Sequence, residues 1–428
     1  MECRLLLLLR WTGATRKQGC FASYHHYPRS PGLLETMFRA TPRTLRLRIR
    51  ASFNHVNRAR LLAANLSSTA VRCQGSTGTV DDCDSLPTAD DCRSAEEHEH
   101  ALKAAARDGQ PGHLGRSYLY VPCTAEKMLE KSLTTNSDVI VYDLEDSVPP
   151  SDPDKTSARS RIAHFLLTRH GSLPSPSRIA MRLNSNVTPF FEEDILQAMR
   201  LPCVRTLVLP KIHSAQDLHF VSEHIYMTYR AHKIRNPQGP PVQIVASIES
   251  AKAMHNLGEI ASWQSAWGPE QGGKLSALLF AAEDYCADTG IVRTSTRQEL
   301  LYTRSHIVVT AKAFGLSAID MVCVNYKDPE YLRSECEDGK RLGFTGKQAI
   351  HPNQVDIVQS TFVPSDKEIL RAARILKQME KAHLANRGAA GLELEGGGME
   401  MIDAPMIKQA ERVVRIAKSA GLPIPEVE

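Results

Sequence analysis

Two acids each close an apolar run: Glu249 in "VQIVASIES" (242–250) and Asp284 in "LSALLFAAED" (275–284). No histidine spacing accompanies them, so a zinc site gains no support. A pair of hard carboxylates instead suits Mg2+, which keeps several waters and leaves positions open for substrate oxygens. Arg182, in "RIAMRLN" (178–184), adds a planar fork suited to a carboxylate or a developing oxyanion. A metal and an arginine together can chelate a 2-oxo or 2-hydroxy acid and stabilise an enolate. Lys127 and Lys131, one helical turn apart in "AEKMLEKSL" (125–133), suit phosphates or carboxylates, or equally a solvated helix face. A further acid, Asp403, lies between Met401, Ile402 and Ala404 in "MEMIDAP" (399–405). An acid flanked by apolar residues tends to a raised pKa, which suits proton transfer at carbon. The same residue reads equally well as the N-cap of a last helix.

These residues need a frame that brings them together. Short β-rich runs alternate with helix-length amphipathic stretches from residue 113 onward. The runs cover 116–122, 138–146, 178–184, 204–211, 242–250, 275–284, 318–325 and 346–352. They are apolar almost throughout, as expected of parallel strands buried on both faces. Strand–helix repeats of this number predict a (β/α)8 TIM barrel. An open doubly wound sheet is the alternative, but no G-x-G-x-x-G follows the first run. Glu145 and Asp146, Arg182, Lys211, Glu249, Asp284, Asn325 and His351 end the second to eighth strands in this reading. Singly, each reads as a cap or a surface ion pair. Jointly they define the C-terminal rim, where barrel active sites sit.

The segment 364–428 reads as a C-terminal helical extension. It opens with a Ser365–Glu368 capping box and carries apolar residues at 369, 372, 373 and 376, with a stop at Gly388. A second helix has an apolar stripe at 406, 407, 410, 413, 414 and 417 that needs a surface to bury against. Gly396, Gly397 and Gly398 then read as a hinge, and "MEMIDAP" as a flap over an active site.

The opposite end is built differently. Residues 1–80 hold thirteen Lys or Arg against two acids, and 81–99 hold eight acids against one Arg. "MFRATPRTLRLRIRASF" (37–53) has the composition of an organellar transit peptide, with a disordered basic tail as the plainer alternative. The expected division is a mitochondrial transit segment at 1–75, an acidic linker at 76–112 and the barrel at 113–363. Outside these terminal stretches the charge is near balance, so no basic face for nucleic acid is implied. The ten cysteines form no C-x-x-C pair, which suits a reducing compartment. No apolar run approaches the roughly 20 residues that span a bilayer.

The ordered set "YLYVPCTAEKMLEK", "VYDLEDSV", "MRLNS", "LVLPKI", "SIESAKA", "AAEDY", "AKAFGLSAIDMV", "GFTGKQAIHPNQV" and "MIDAP" resembles the citrate lyase beta-subunit-like acyl-CoA lyases over about 116–420. The resemblance implies a Mg2+-dependent carbon–carbon lyase acting on a 3-hydroxyacyl-CoA. It points to (3S)-citramalyl-CoA, cleaved to acetyl-CoA and pyruvate in the mitochondrial matrix. A malyl-CoA lyase or a malate-synthase-like thioesterase is the alternative. By resemblance Glu249 and Asp284 are the Mg2+ ligands, and Arg182 binds the oxyacid and the reacting oxygens. Tyr120, Lys127 and Lys131 match positions that contact substrate or CoA phosphates, and Gln348 and Ala349 match a CoA-contacting stretch. Asp403 matches the catalytic acid/base, on a flap that closes a neighbouring subunit's site in a homotrimer or hexamer. Cys123, Ala281 and Ala282 stand where the family has glycine and are expected to reshape pocket walls. A silent scaffold subunit is the rival from another class, and the intact set Arg182, Glu249, Asp284 and Asp403 argues against it. A regulatory RNA- or protein-binding module lacks any supporting basic or aromatic stripe.

Overall fold

Every apolar run from 116 onward contains a strand, and hydrogen bonding closes the eight into a parallel barrel in chain order. The computed structural model describes residues 114–427 except 170, 233–239, 385–389 and 394–397. The expected transit segment and acidic linker, the helix stop at Gly388 and hinge residues Gly396 and Gly397 lie outside the described residues.

The strands are β1 (Ser117–Pro122), β2 (Val139–Asp143), β3 (Ile179–Arg182), β4 (Thr206–Leu209), β5 (Gln243–Ile248), β6 (Lys274–Phe280), β7 (Ser317–Asp320) and β8 (Gly346–Ala349). Helices α1 (Glu126–Ser132), α2 (Asp152–Thr168), α3 (Phe191–Arg200) and α4 (Ala215–His232) follow the first four strands. Three short helices, α5 (Ala251–His255), α6 (Leu257–Ala261) and α7 (Gly268–Gly272), follow β5. Next come α8 (Ala282–Thr289) and α9 (Leu301–Ala313) after β6, α10 (Pro329–Leu342) after β7 and α11 (Val355–Thr361) after β8.

Strand alternation sorts the core into two layers. Val139, Val141, Ala180, Val208, Val245, Ala277, Leu279 and Ile319 fill the barrel interior with Tyr118. Their neighbours Ile140, Tyr142, Ile179, Met181, Leu278 and Phe280 face the helices. Burying each of these large side chains contributes roughly 1.5–3 kcal/mol, which explains the apolar residues on both faces of these strands. The seam between β8 and β1 depends on Gly346. A Cβ there would fall 2.2 Å from the Gly115 carbonyl oxygen and 2.6 Å from that of Arg116. Lys347 faces outward and is fully buried, 2.9 Å from Glu335 on α10 and 3.8 Å from Asp320 on β7. Asp320 is in turn held by Arg304 on α9 at 2.7 Å. Buried charges tolerate this position because each has a partner.

Several rim positions differ from the sequence reading. β2 ends at Asp143, so Glu145 and Asp146 lie in the loop beyond it, and β6 ends at Phe280. Asp284 therefore sits in the first turn of α8 rather than at a strand end. The Ala281–Ala282–Glu283 run explains this, since alanine and glutamate favour helix over strand. Lys211, Asn325 and His351 likewise lie beyond their strands, and only Arg182 is a strand's last residue.

After the barrel, α12 (Asp366–Leu384) opens with the expected reciprocal cap: Glu368 accepts from the Ser365 amide at 2.7 Å and its own amide donates to Ser365 Oγ at 3.3 Å. "MEMI" is a strand, β10 (Met399–Ile402), antiparallel to β9 (Ala390–Glu393). The last helix, α13 (Ala404–Ser419), covers α12. Ala372, Ile375, Met379, Leu392, Ile402 and Ala410 form their shared core. The apolar stripe of α13 is thus spent on α12 and the hairpin. Met399 and Met401, on the other face of β10, remain 71% and 75% exposed.

Candidate active site

The rim residues touch one another in an unbroken path from β8 to α8. Gln348, on β8, donates to the carbonyls of Phe280 at 2.8 Å and Asp320 at 3.1 Å. Its Oε1 accepts from the Tyr120 hydroxyl at 3.0 Å. The Arg182 guanidinium lies over the Tyr120 ring, 4.7 Å from its centroid. Arg182 forks onto Asp143, with Nε–Oδ1 and Nη2–Oδ2 both 2.7 Å, and its Nη1 is 3.0 Å from Glu145 Oε2. Lys211 Nζ donates to the other Glu145 oxygen at 2.9 Å. The Lys211 amide donates to Glu249 Oε1, and Glu249 shares a hydrogen bond with Asp284.

Asp143 was not singled out from sequence, yet it is the strongest partner of Arg182. An acid ending the otherwise apolar strand "VIVYD" was the available signal. Burial alone would raise its carboxyl, but Arg182 together with hydrogen bonds from Ser147 and the Glu145 amide holds it below its ordinary value. Three guanidinium N–H groups face Asp143 and Glu145, which leaves one on each terminal nitrogen for a substrate oxygen, with Asp146 Oδ2 3.7 Å from Nη1.

On the far side of Lys211 the balance reverses. Burial, then the charges of Glu145 and Asp284, push Glu249 up to about 8. Burial and the neighbouring Asp146 raise Asp284 as well. Two adjacent acids of which at least one resists ionisation form a site with excess negative charge and a place for a cation. The donor set fits Mg2+: hard oxygens, only two of them, and open positions for water and substrate. Among the described residues no group of three or more His, Cys, Asp or Glu side chains is arranged to hold a metal ion.

The remaining sequence candidates fall in three places. Lys127 and Lys131 are exposed on α1, the helix that follows β1. The Lys131 charge reaches His351, whose imidazole is held below its usual value by burial and then by that lysine. Gln348 and Ala349 are buried in the barrel wall, at 4% and 0% exposure. With both amide donors of Gln348 on backbone carbonyls, its side chain acts on Tyr120 and not on an open surface. Asp403 belongs to the C-terminal hairpin. It is exposed and caps α13, accepting from the Met406 amide at 2.9 Å. No hydrogen bond or ion pair among the described residues joins its side chain to the rim. Among the described residues the apolar enclosure expected of it is not formed, because Met399 and Met401 are exposed. Cys123 does not line an open pocket either. It is fully buried behind β1, where burial raises its thiol well above the ordinary value. Ala282 is buried too, which leaves Ala281 as the partly accessible one of the three.

A family model described as HpcH/HpaI aldolase/citrate lyase matches residues 116–352. The mitochondrial citramalyl-CoA lyase of Rattus norvegicus is 33% identical over 307 residues, 71% of this chain and 86% of that protein. The citrate lyase subunit beta of Leuconostoc mesenteroides subsp. cremoris is 32% identical over 310 residues, 72% of this chain and 95% of its own length. Among solved structures, protein CitE of Mycobacterium tuberculosis, in complex with magnesium, acetoacetate and coenzyme A, matches with a TM-score of 0.54 at 26% identity. That match covers 72% of this chain and 98% of CitE.

Proposed function

The chain belongs to the HpcH/HpaI aldolase/citrate lyase family, and from that premise we propose that it is a Mg2+-dependent carbon–carbon lyase cleaving (3S)-citramalyl-CoA to acetyl-CoA and pyruvate. The observation that carries the reading is the pair of buried Glu249 and half-buried Asp284, linked to Arg182 through Lys211 and Glu145. The citramalyl-CoA lyase of rat and the magnesium and coenzyme A of CitE support the same chemistry.

Glu249 and Asp284 would hold Mg2+, which when bound would supply Lewis-acid polarisation of the substrate's oxygens. Arg182, stiffened by Asp143 and the Tyr120 ring, donates its remaining N–H groups to the oxyacid. Gln348 fixes the Tyr120 hydroxyl, and Ala349 keeps the wall beside it closed. Lys127 and Lys131 lie where a CoA phosphate would approach over α1. As the bond between the methylene and the hydroxyl-bearing carbon breaks, its electron pair passes to the thioester enolate, the hydroxyl proton leaves to solvent, and the O–H electrons form the C=O of pyruvate. Asp403, brought from the hairpin of a neighbouring copy, then protonates the methylene carbon. Its exposure beside Met399 and Met401 is the surface such a closure would cover.

The direct test offers the purified full-length protein citramalyl-CoA, malyl-CoA and other 3-hydroxyacyl-CoAs with Mg2+ or with EDTA. Citramalyl-CoA should yield acetyl-CoA and pyruvate only with Mg2+ and faster than the other thioesters. Preference for malyl-CoA would move the substrate, and cleavage in EDTA would reject the metal.

The location proposed for this reaction is the mitochondrial matrix, on the strength of the cationic presequence composition. Residues 1–75 fused to a fluorescent reporter should enter mitochondria, and replacing the arginines between 39 and 50 by glutamate should abolish entry. A wild-type fusion that stays in the cytosol would reject the location.

A further inference from the structure

Lys211 holds a backbone conformation that few side chains adopt. Its φ is +56°, and among the described residues Arg297 is the other non-glycine with positive φ. Such a conformation costs about 1–2 kcal/mol outside glycine, so a lysine here indicates that its side chain is needed. Both of its polar groups meet acids. The amide donates to Glu249, and the ammonium reaches Glu145 at 2.9 Å. Glu145 is 8% exposed, and its second oxygen is 3.0 Å from Arg182. It is therefore a buried carboxylate clamped between two cations, next to the proposed metal pair and in no coordinating group with it.

Resting on the reading of Glu249 and Asp284 as metal ligands, we propose that Lys211 is a positioning residue that keeps Glu145 off the cation, so that the metal site stays open to substrate. A buried carboxylate cannot remain without a partner. Once the ammonium is gone, the Glu145 oxygen on the side away from Arg182 loses its cation, and an ion beside Glu249, whose environment already registers the Glu145 charge, can replace it. A third carboxylate tightens metal binding, since affinity rises with the number of charged ligands. It also occupies a position that the substrate's hydroxyl or carboxylate needs. The two effects have opposite signs, which separates positioning from a general loss of structure.

The test is a Mn2+ titration of the full-length protein, read by water-proton relaxation, alongside steady-state kinetics. Lys211→Met should bind Mn2+ about tenfold more tightly while kcat/KM falls at least about tenfold. Glu145→Gln should bind Mn2+ within about threefold of the wild type, and the double variant should match Glu145→Gln, because the gain requires the Glu145 charge. Lys211→Gly, which the positive φ favours, carries the same expectation should the methionine variant fail to fold. Unchanged or weaker Mn2+ binding on loss of the ammonium, or a gain that persists in the double variant, overturns the proposal. A wild type that binds no Mn2+ overturns it together with the metal reading. A wild type that binds Mn2+ but cleaves none of the acyl-CoAs overturns the lyase reading alone.

Discussion

Glu249→Gln is expected to weaken Mg2+ binding at least ~100-fold and to remove turnover, with the fold retained. Changes one shell out from a metal already cost on the order of 10–100-fold, and this one removes an anionic ligand from a site with two. The glutamine can still accept from the Lys211 amide, so the backbone turn there survives. Asp284→Asn should behave alike. A pH readout separates this outcome from nonspecific damage. In the metal-free protein, burial and neighbouring acids raise Glu249 from its ordinary 4.5 to about 8. Between those values the folded state holds a proton that the unfolded chain releases, so the contribution of Glu249 to metal-free stability is fully present below 4.5 and is lost as pH rises toward 8. The slope is at most ~1.4 kcal/mol per pH unit. Mg2+ binding must expel that proton, so affinity should climb with pH over the same window. In Glu249→Gln the metal-free stability curve should flatten there. Calorimetric Mg2+ titration and thermal unfolding in EDTA across pH 5–9 measure both quantities. Full Mg2+-dependent turnover in either variant would return the pair to an ordinary buried acid cluster.

The barrel was legible because its strands are apolar on both faces. Val139 and Val141 fill the interior while Ile140 and Tyr142 meet the helices, so no alternation obscures the run. Polar residues at the ends of those runs marked the rim, but not the order in which they touch. Asp284 read as a strand end and belongs to a helix turn, since helix propensity outweighs continuity of an apolar run. Asp143 escaped notice because the more conspicuous Glu145 and Asp146 follow it. The role of Gln348 depends on reaching across the barrel to Phe280 and Asp320, and no local pattern encodes so distant a contact. In the tail, "AGLE" and "MEMI" flank the glycines as a hairpin would. The expected flap therefore contains a hairpin that the helical stripes on either side do not signal. Asp403 illustrates the limit most sharply: its two sequence readings, cap and acid/base, are both compatible with one position, and the chain by itself displays the cap.

Replacing Asp403 by asparagine decides between them. As a helix cap, asparagine is about as good as aspartate, so α13 and its packing on Ile375 and Met379 should be unaffected. As an acid/base it is useless, because the amide cannot shuttle a proton. The variant should therefore keep its thermal stability and its binding of acyl-CoA and Mg2+ while turnover falls roughly 10²–10⁴-fold. It should also stop exchanging the methyl protons of acetyl-CoA with deuterated water in the presence of pyruvate, a step that requires no carbon–carbon bond formation. The exposed face carrying Met399 and Met401 supports closure on another copy, and that too can be measured. If one subunit's hairpin completes its neighbour's site, mixing inactive Asp403→Asn with inactive Glu249→Gln protomers should restore part of the activity. Some interfaces would then pair an intact aspartate with an intact metal site. Exchange at the wild-type rate in Asp403→Asn would leave this residue a cap and nothing more. Loss of exchange without complementation would place the aspartate over its own barrel instead of its neighbour's.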